Sequence, residues 1–304
     1  MRTLTPFLRH GLDYKKAISL AAVLIVLAIV FSSVLLGCRG DSSQVNTAAD
    51  DAEAAKARER SRNAETLSSR DVPIYDYDII NTYDHNEDNY TQGLVMDGGL
   101  LYEGTGLYGQ SRLLKTELET GDVLQQYDLE PEYFGEGVTV LGDQVYHLTF
   151  LSYTGFIYDK ESFEPVGTFE YPTQGWGLTN DGKELIMSDG SAALHFLDPE
   201  TLEQTRYITV SDNEGAVDNL NELEFIDGEV YANVFKTTLI AIIDPETGEV
   251  TGWVNMAGIN PDPVELKDPY VLNGIAYRRE TGHLLVTGKG WPTIFEIELV
   301  EPGN

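Results

Sequence analysis

A short segment that ends in a glycine recurs along the C-terminal three quarters of this chain. It reads QGLVMDG at 92–98, EGVTVLG at 136–142, WGLTNDG at 176–182 and ELEFIDG at 222–228. A further copy, NGIAYRR at 273–279, keeps the pattern but lacks the glycine. Each copy is followed by an alternating apolar run and then by turns rich in Asp, Pro, Ser and Gly, which is typical of short antiparallel strands. The copies therefore predict a repeated β-unit.

The spacing of the copies predicts the fold class. Steps of 44, 40, 46 and 51 residues separate their first positions, and four short strands per unit at this period indicate a β-propeller. Five units fill residues 92–304, but the last is one strand short, whereas an unassigned strand precedes the first unit at 73–84. We predict an all-β, five-bladed β-propeller over residues 73–304, with the ring closed by this N-terminal strand. A two-sheet sandwich is the competing fold, but it does not predict a fivefold repeat.

The N-terminus indicates where the protein works. Basic residues precede an apolar stretch at 17–38, which ends in Leu-Leu-Gly-Cys38 and contains the single cysteine of the chain. This ending predicts a lipoprotein-type signal peptide over residues 1–38 with Cys38 as the lipidation site; an uncleaved membrane anchor is the alternative. Both interpretations place the propeller outside the cytoplasmic membrane and tethered to it. Residues 39–72 contain few large apolar groups and are predicted to be a disordered polar linker.

Charge and composition exclude several classes of function. The chain carries 20 Lys and Arg against 50 Asp and Glu, a formal net charge of −30. Such a surface repels phosphate backbones, so we expect no nucleic-acid partner; adaptation to salt is the simpler explanation of the charge. The five histidines are scattered without a zinc motif, and we predict no metal and no cofactor. The polar runs at 83–89 and 211–219 could hold a structural calcium ion, although such loops are usually only solvated.

The repeat also predicts a functional site. The first position of each unit begins an innermost strand at one end of the central channel. These positions are occupied by Gln92, Glu136, Trp176, Glu222 (with Asn221 just before it) and Asn273. A ring that is only structural would carry small or apolar residues there. Glycine follows at four of the five positions, which lets the backbones approach the axis and leaves room for a ligand.

The same stretches resemble a known family. YTQGLVMDGGLLYEGTGLYGQSRL, YFGEGVTVLGDQVYHLTF, GWGLTNDGKELIMSDGS, LNELEFIDGEVYANVF, PYVLNGIAY and VTGKGWPTIFEIEL are similar to segments of the plant and bacterial type of glutaminyl-peptide cyclotransferase, over about residues 75–300. The resemblance implies a five-bladed propeller that converts an N-terminal glutamine into pyroglutamate, releases ammonia and needs no catalytic zinc.

The resemblance also implies roles for particular residues. Glu136 would be the acid–base group and Lys289 a donor to the developing oxyanion. The implied substrate-binding residues are Gln92, Phe134, Phe150, Trp176, Asn221 and Phe235. Phe150 and Phe235 stand where the family often has tryptophan, so they keep an apolar wall but lack the indole donor. The structural alternatives are a turn glutamate, a surface lysine and a core tryptophan.

Two other functions compete with this interpretation. The first is a non-catalytic propeller lipoprotein that binds peptides or glycans through the same channel. The second is a metal-dependent propeller hydrolase such as a lactonase, for which the chain offers few ligands. We expect peptides or proteins with N-terminal glutamine as partners, contact with a membrane only through the N-terminal anchor, and a monomeric protein.

Overall fold

The computed structural model describes residues 42–260 and 271–301 of the 304-residue chain, with residues 42–49 as backbone only. The predicted leader, including Cys38, lies outside these residues. Residues from Asp50 onward belong to one compact unit, which contains every strand named below. Within the described residues, no helix is both long and apolar enough to cross a membrane.

The described residues form one long helix followed by short β-strands. The elements are α1 (Ser42–Leu67), β1 (Ile74–Asp84), β2 (Thr91–Asp97), β3 (Leu100–Thr105), β4 (Arg112–Thr116), β5 (Val123–Asp128), β6 (Gly135–Leu141), β7 (Gln144–Thr149), β8 (Thr154–Asp159), β9 (Pro165–Glu170), β10 (Leu178–Asn180), β11 (Leu185–Ser188), β12 (Ala193–Leu197), β13 (Gln204–Thr209), β14 (Ser211–Asp212), β15 (Gly215–Ala216), β16 (Leu220–Ile226), β17 (Glu229–Val234), β18 (Leu239–Ile243), β19 (Val250–Asn255), β20 (Leu272–Arg278), β21 (His283–Gly288) and β22 (Thr293–Val300).

The strands pair as antiparallel four-stranded groups, as the repeat predicts. Three groups are separate sheets, β2–β5, β6–β9 and β10–β13, each in sequence order. A fourth group, β16–β19, and a fifth, β20–β22 with β1, belong to one eight-stranded sheet. Five clusters of buried apolar side chains lie between neighbouring groups. One of them packs Ala276 and Leu285 of the fifth group against Leu94 and Leu101 of the first.

The N-terminal strand completes the fifth group. β1 pairs antiparallel with β22 from Asp76↔Val300 to Asp84↔Thr293, which confirms the predicted pairing of this strand with the last unit. Its first residues also pair in parallel with β19, at Ile74↔Trp253 and Tyr75↔Val254. The repeat does not predict this second pairing, which joins the fourth and fifth groups into one sheet.

The predicted disordered linker is wrong for residues 42–67, which form α1. Alanine, glutamate, lysine and arginine favour a helix there, and a few side chains attach it to the fourth group. Leu67 is buried in the apolar cluster that contains Trp253. Asn63 is 4% exposed, and its Nδ2 donates to Thr238 Oγ1 at 3.1 Å and to Asn255 Oδ1 at 2.8 Å. These buried polar contacts hold a segment whose apolar content is low.

Candidate active site

A cavity opens where the first strands of the groups begin and the second strands end. In an antiparallel hairpin these two points meet at one end of the sheet, so every group presents side chains to the same place. The cavity is about 170 Å³ and is lined by Tyr90, Gln92, Phe134, Glu136, Phe150, Trp176, Asn221, Phe235 and Lys289. All eight catalytic and substrate-binding residues predicted from the sequence are therefore brought together, although their individual roles remain predictions.

Irregular strand pairing aims the polar residues into this cavity. The register between first and second strand shifts in four of the five groups, at Thr91/Gly93, Gly135/Val138, Leu220/Leu223 and Leu272/Ile275, whereas β10 and β11 pair regularly. The residues inside these shifts include Gln92, Glu136, Asn221 and Asn273. A bulge bends the strand locally and redirects a side chain that regular alternation would place elsewhere.

The first strands approach one another so closely that Gly93, Gly137 and Gly177 leave no room for a Cβ. A Cβ on Gly137 would lie 2.6 Å from the carbonyl oxygen of Trp176, and one on Gly177 would lie 2.0 Å from that of Asn221. The amide of Gly137 donates to the Trp176 carbonyl at 2.7 Å. These contacts fix the spacing of neighbouring strands around the cavity.

A chain of hydrogen bonds holds the Glu136 carboxyl at the base of the cavity. Gln92 Nε2 donates to Glu136 Oε1 at 3.1 Å. Asn273 Nδ2 donates to Gln92 Oε1 at 3.4 Å and to the Thr91 carbonyl at 3.1 Å. Asn273 therefore fixes the oxygen of the Gln92 side-chain amide, and the nitrogen of that amide is left to donate to the Glu136 carboxyl.

The protonation of Glu136 is set by its burial. The residue is 5% exposed, and burial raises the pKa of its carboxyl well above the ordinary value, while the positive charge of Lys289 partly offsets the rise. A carboxyl with a raised pKa is a stronger base than an exposed one and can also return the proton. This is the electrostatic condition for a group that exchanges a proton with an amine.

Asn221 contributes a buried acceptor to the cavity. It is 2% exposed, and its Oδ1 has no hydrogen-bond partner among the described residues. Its position is fixed through the main chain, because Ser188 Oγ donates to the Asn221 carbonyl at 2.7 Å and accepts from the Gly177 amide at 2.8 Å. An unpaired acceptor in such a place is costly unless a ligand donor satisfies it.

The neighbouring Glu222 has a structural role, because its carboxyl joins the backbones of neighbouring strands. Its two carboxyl oxygens accept from the backbone amides of Leu94, at 3.1 Å, and Ile275, at 2.7 Å. Burial, followed by the charge of Glu224, raises the pKa of Glu222 well above the ordinary value. Of the two residues at this point of the repeat, Asn221 lines the cavity, whereas Glu222 links β16 to β2 and β20.

An aromatic wall surrounds these polar groups. The rings of Tyr90, Phe134, Phe150, Trp176 and Phe235 follow one another with centroid separations of 6.3, 5.9, 6.4 and 5.5 Å. Lys289 Nζ closes the circle, since it lies 5.0 Å from the Phe235 ring and 5.1 Å from the Tyr90 ring. The indole nitrogen of Trp176 donates to Gln174 Oε1 at 3.0 Å, which fixes the ring against the cavity.

Sequence reasoning missed two contributors to the site. Tyr90 lines the cavity immediately before β2, and its nearness to the TQGL segment is the signal that could have identified it. Asn273 was placed on the channel but not assigned to the site, yet it orients Gln92. Among the described residues, no group of three or more His, Cys, Asp or Glu could hold a metal ion.

Comparisons with known proteins agree with this geometry. A family model described as glutamine cyclotransferase matches residues 50–299. A glutaminyl-peptide cyclotransferase of Arabidopsis thaliana is 39% identical over 230 residues, which cover 74% of this chain and 72% of that protein. The crystal structure of the Myxococcus xanthus glutaminyl cyclase superposes with a TM-score of 0.71 at 31% identity, over 76% of this chain and 99% of that one.

Proposed function

Since the chain belongs to the glutamine cyclotransferase family, we propose that it converts the N-terminal glutamine of peptides or proteins into pyroglutamate with release of ammonia. One observation carries the proposal. The buried carboxyl of Glu136, whose pKa is raised, accepts a hydrogen bond from the Gln92 side chain and shares with Lys289 a cavity walled by aromatic rings. The cavity volume of about 170 Å³ is of the order of a single side chain.

The first chemical requirement is a neutral α-amine. A peptide α-ammonium has a pKa of about 7.7–8.0 in water. Inside the cavity the α-ammonium is removed from water, which disfavours its charged form, and the nearby Lys289 ammonium disfavours that form further. Burial has the opposite effect on Glu136, whose pKa rises. The two pKa values converge, so the proton passes from the amine to the carboxylate at little cost.

The second requirement is attack on the side-chain amide. The freed amine nitrogen bonds to the γ-carboxamide carbon of the same glutamine, and the carbonyl oxygen becomes an oxyanion. Lys289, which is 4% exposed, supplies the positive charge that stabilises it. Asn221 Oδ1 accepts a hydrogen bond from the amine and keeps the nucleophile directed at the carbon.

The third requirement is departure of the leaving group. Glu136 returns its proton to the amide nitrogen, the bond from that nitrogen to carbon breaks, and ammonia leaves as the lactam carbonyl re-forms. The attacking nitrogen still carries one surplus proton in the tetrahedral intermediate; the regenerated Glu136 carboxylate takes it and passes it to ammonia, which leaves as ammonium. Both protons lost by the α-ammonium are then carried away, and Glu136 ends as the carboxylate it began as. Every step uses side chains of the cavity, and we propose that the reaction needs no metal or other cofactor.

The proposal extends to the fold and to the location of the protein. A five-bladed propeller closed by β1 is supported by the β1–β22 pairing and by the apolar cluster between the fifth and first groups. A monomer that is tethered outside the cytoplasmic membrane, through lipidated Cys38 or an uncleaved anchor, is supported by the composition of residues 1–38. Radiolabelled palmitate incorporation in wild type and in Cys38→Ser tests the tether.

The test of function is ammonia release from peptides that begin with glutamine. A coupled ammonia assay and mass spectrometry of the peptide are run on Gln-initiated peptides and on matched Asn-initiated peptides, with and without EDTA. We expect the Gln peptides alone to lose one ammonia, at a rate that EDTA does not change. Gln peptides that bind without turnover would instead favour the non-catalytic peptide-binding propeller, and activity lost on chelation would overturn the metal-free mechanism.

A further inference from the structure

Exposed apolar side chains are distributed unevenly over the described residues. Nine large ones are exposed, and six of these lie on β1, β5, β9 and β13. The other three are Tyr108, Leu151 and Tyr153, which are 54%, 45% and 47% exposed. These three lie in the loops that follow β3 and β7, the second strands of the first two groups, at the end where the cavity opens.

The Tyr108 ring is held in place although it is exposed. Leu107 has a φ of 80°, a conformation that a bulky residue adopts only when its surroundings impose it. Ser111 Oγ donates to the Leu107 carbonyl at 2.9 Å and accepts from the Gly135 amide at 2.9 Å. The loop that carries Tyr108 is thus tied to the residue that precedes Glu136.

Aromatic contacts connect this loop to the cavity wall. The Tyr108 ring lies 5.4 Å from the Phe134 ring at an interplanar angle of 73°, and Phe134 is 5.9 Å from Phe150. The Phe150 amide also donates to the Phe134 carbonyl at 2.9 Å, and Leu151 follows directly in the chain. An apolar strip therefore runs from the cavity wall through Phe134 to Tyr108 in solvent, and Leu151 is the exposed apolar residue next to Phe150 in the chain.

The equivalent loops of the other groups lack such a strip. After β11 the exposed residue is Ser191, and after β17 it is Lys236. After β21 the large apolar residue is Trp291, which is fully buried. Among these five described loops, the large exposed apolar side chains therefore belong to the first two groups alone, and a peptide that leaves the cavity over those groups meets an apolar surface.

We propose that the strip formed by Tyr108, Phe134 and Leu151 is a subsite for the second residue of the substrate and that it favours a large apolar side chain there. The inference rests on the proposed function. Consecutive Cα atoms are about 3.8 Å apart, so when glutamine fills the cavity the second residue lies at its mouth. Aromatic and aliphatic side chains at that position would be removed from water against the fixed Tyr108 ring.

Dipeptide amides test the subsite. The ratio of kcat/KM for Gln-Phe-amide to that for Gln-Gly-amide is measured by ammonia release in wild type, Tyr108→Ala, Tyr108→Phe and Tyr207→Ala. Tyr207 is the matched control, because it is a tyrosine that is 64% exposed on β13. We expect a wild-type ratio of about two- to tenfold, the size of one aromatic contact, retained in Tyr108→Phe and Tyr207→Ala and reduced to near unity in Tyr108→Ala.

The results separate this inference from the proposed function. A wild-type ratio at or below unity, or an unchanged ratio in Tyr108→Ala, overturns the subsite while ammonia release still supports the cyclase. If no peptide turns over, the proposed function fails, and calorimetric Kd values for the same two amides give the ratio instead. A preference for Gln-Phe-amide that disappears in Tyr108→Ala alone would then support the subsite as part of a binding protein.

Discussion

Replacing Glu136 with glutamine should slow the reaction and stabilise the protein at the same time. Glutamine has nearly the shape of glutamate, and its Oε1 can still accept the hydrogen bond from Gln92 Nε2. The substitution therefore removes the ability to carry a proton and leaves the packing intact. Opposite effects on activity and stability are expected where a buried ionisable group is retained for catalysis.

The stability gain follows from the raised pKa. Between its ordinary pKa of 4.5 and its raised pKa in the folded protein, the unfolded chain ionises Glu136 whereas the folded protein keeps the proton; above the raised pKa both states are ionised. The folded state then binds more protons, so its stability falls with rising pH, by about 1.4 kcal/mol per pH unit, between the unfolded and the folded pKa. At pH 7 the upper limit of this cost is about 3 kcal/mol. The side chain introduced by Glu136→Gln does not ionise, so this variant does not carry that loss of stability.

The activity loss follows from the missing proton carrier. General acid–base catalysis contributes about 10²- to 10⁴-fold, so Glu136→Gln should lower kcat/KM for a Gln peptide by that factor. Ammonia release measures the rate. Urea unfolding at pH 5 and at pH 7 measures the stability difference, which should grow between the two pH values because only wild type carries the pH-dependent cost.

Glu296→Gln is the matched control. Glu296 is also buried, at 4% exposed, but burial is outweighed by hydrogen bonds from Tyr83 and His283 and by the charge of Arg278, which hold the pKa below its ordinary value. Its ionised form stabilises the fold above the unfolded pKa, so this variant should lose stability at pH 7 and keep its turnover. Wild-type activity in Glu136→Gln, or a stability loss there like that of Glu296→Gln, would refute the reasoning.

Three further changes probe the site and its supports. Lys289→Met should lower kcat by about 10²-fold. The positive charge of Lys289 lowers the pKa of Glu136, so its removal should raise that pKa and move the acid limb of the pH profile of kcat/KM to higher pH. An unmoved limb would contradict the coupling. Gly137→Ala forces a Cβ to within 2.6 Å of the Trp176 carbonyl and should cost about 1–3 kcal/mol of unfolding free energy in urea, and an unchanged midpoint would show that the strands can separate. Leu67→Ala should cost about 2–5 kcal/mol in the same assay, whereas no loss would mean that α1 does not dock in solution.

The repeat predicted the positions of Gln92, Glu136, Trp176 and Asn221, whereas Phe134, Phe150, Phe235 and Lys289 were implied by the resemblance. Glu136 and Asn221 lie at the beginning of first strands, and Phe150 and Phe235 come directly after second strands. Antiparallel pairing puts those two places at one end of a hairpin, and repetition puts every hairpin around the same axis. The resemblance added the roles, but the convergence on one cavity follows from the period.

Register and irregular pairing could not be read in this way. The shifts that aim Gln92, Glu136 and Asn221 depend on backbone hydrogen bonds between neighbouring strands, and no local propensity encodes them. The alignment accordingly marked Glu222 as the channel position, whereas the shift at Leu220/Leu223 leaves Asn221 against the cavity. The parallel contact of β1 with β19 is likewise a tertiary pairing between distant residues.

Helix α1 shows the limit of reasoning from composition. Its sequence has too few apolar residues to predict a packed element, and the hydrogen bonds that hold it join Asn63 and Glu59 to the Thr238 hydroxyl. Thr238 is 175 residues from Asn63 and 179 residues from Glu59. A polar segment can therefore be ordered when its few buried hydrogen bonds are all satisfied.

The polar groups of the proposed reaction and the aromatic groups that contact the substrate lie on different parts of the fold. Gln92, Glu136 and Asn221 lie on first strands, where β-sheet pairing and close backbone contacts leave little freedom. The aromatic wall instead comes mostly from loops, and with Phe150 and Phe235 in place the ring contacts of 6.4 and 5.5 Å to Trp176 are still made. Tryptophan is therefore not needed at positions 150 and 235 to close the wall, and phenylalanine there removes only a hydrogen-bond donor. Substitutions in these loops should change which glutamine peptides bind without moving the group that transfers the proton.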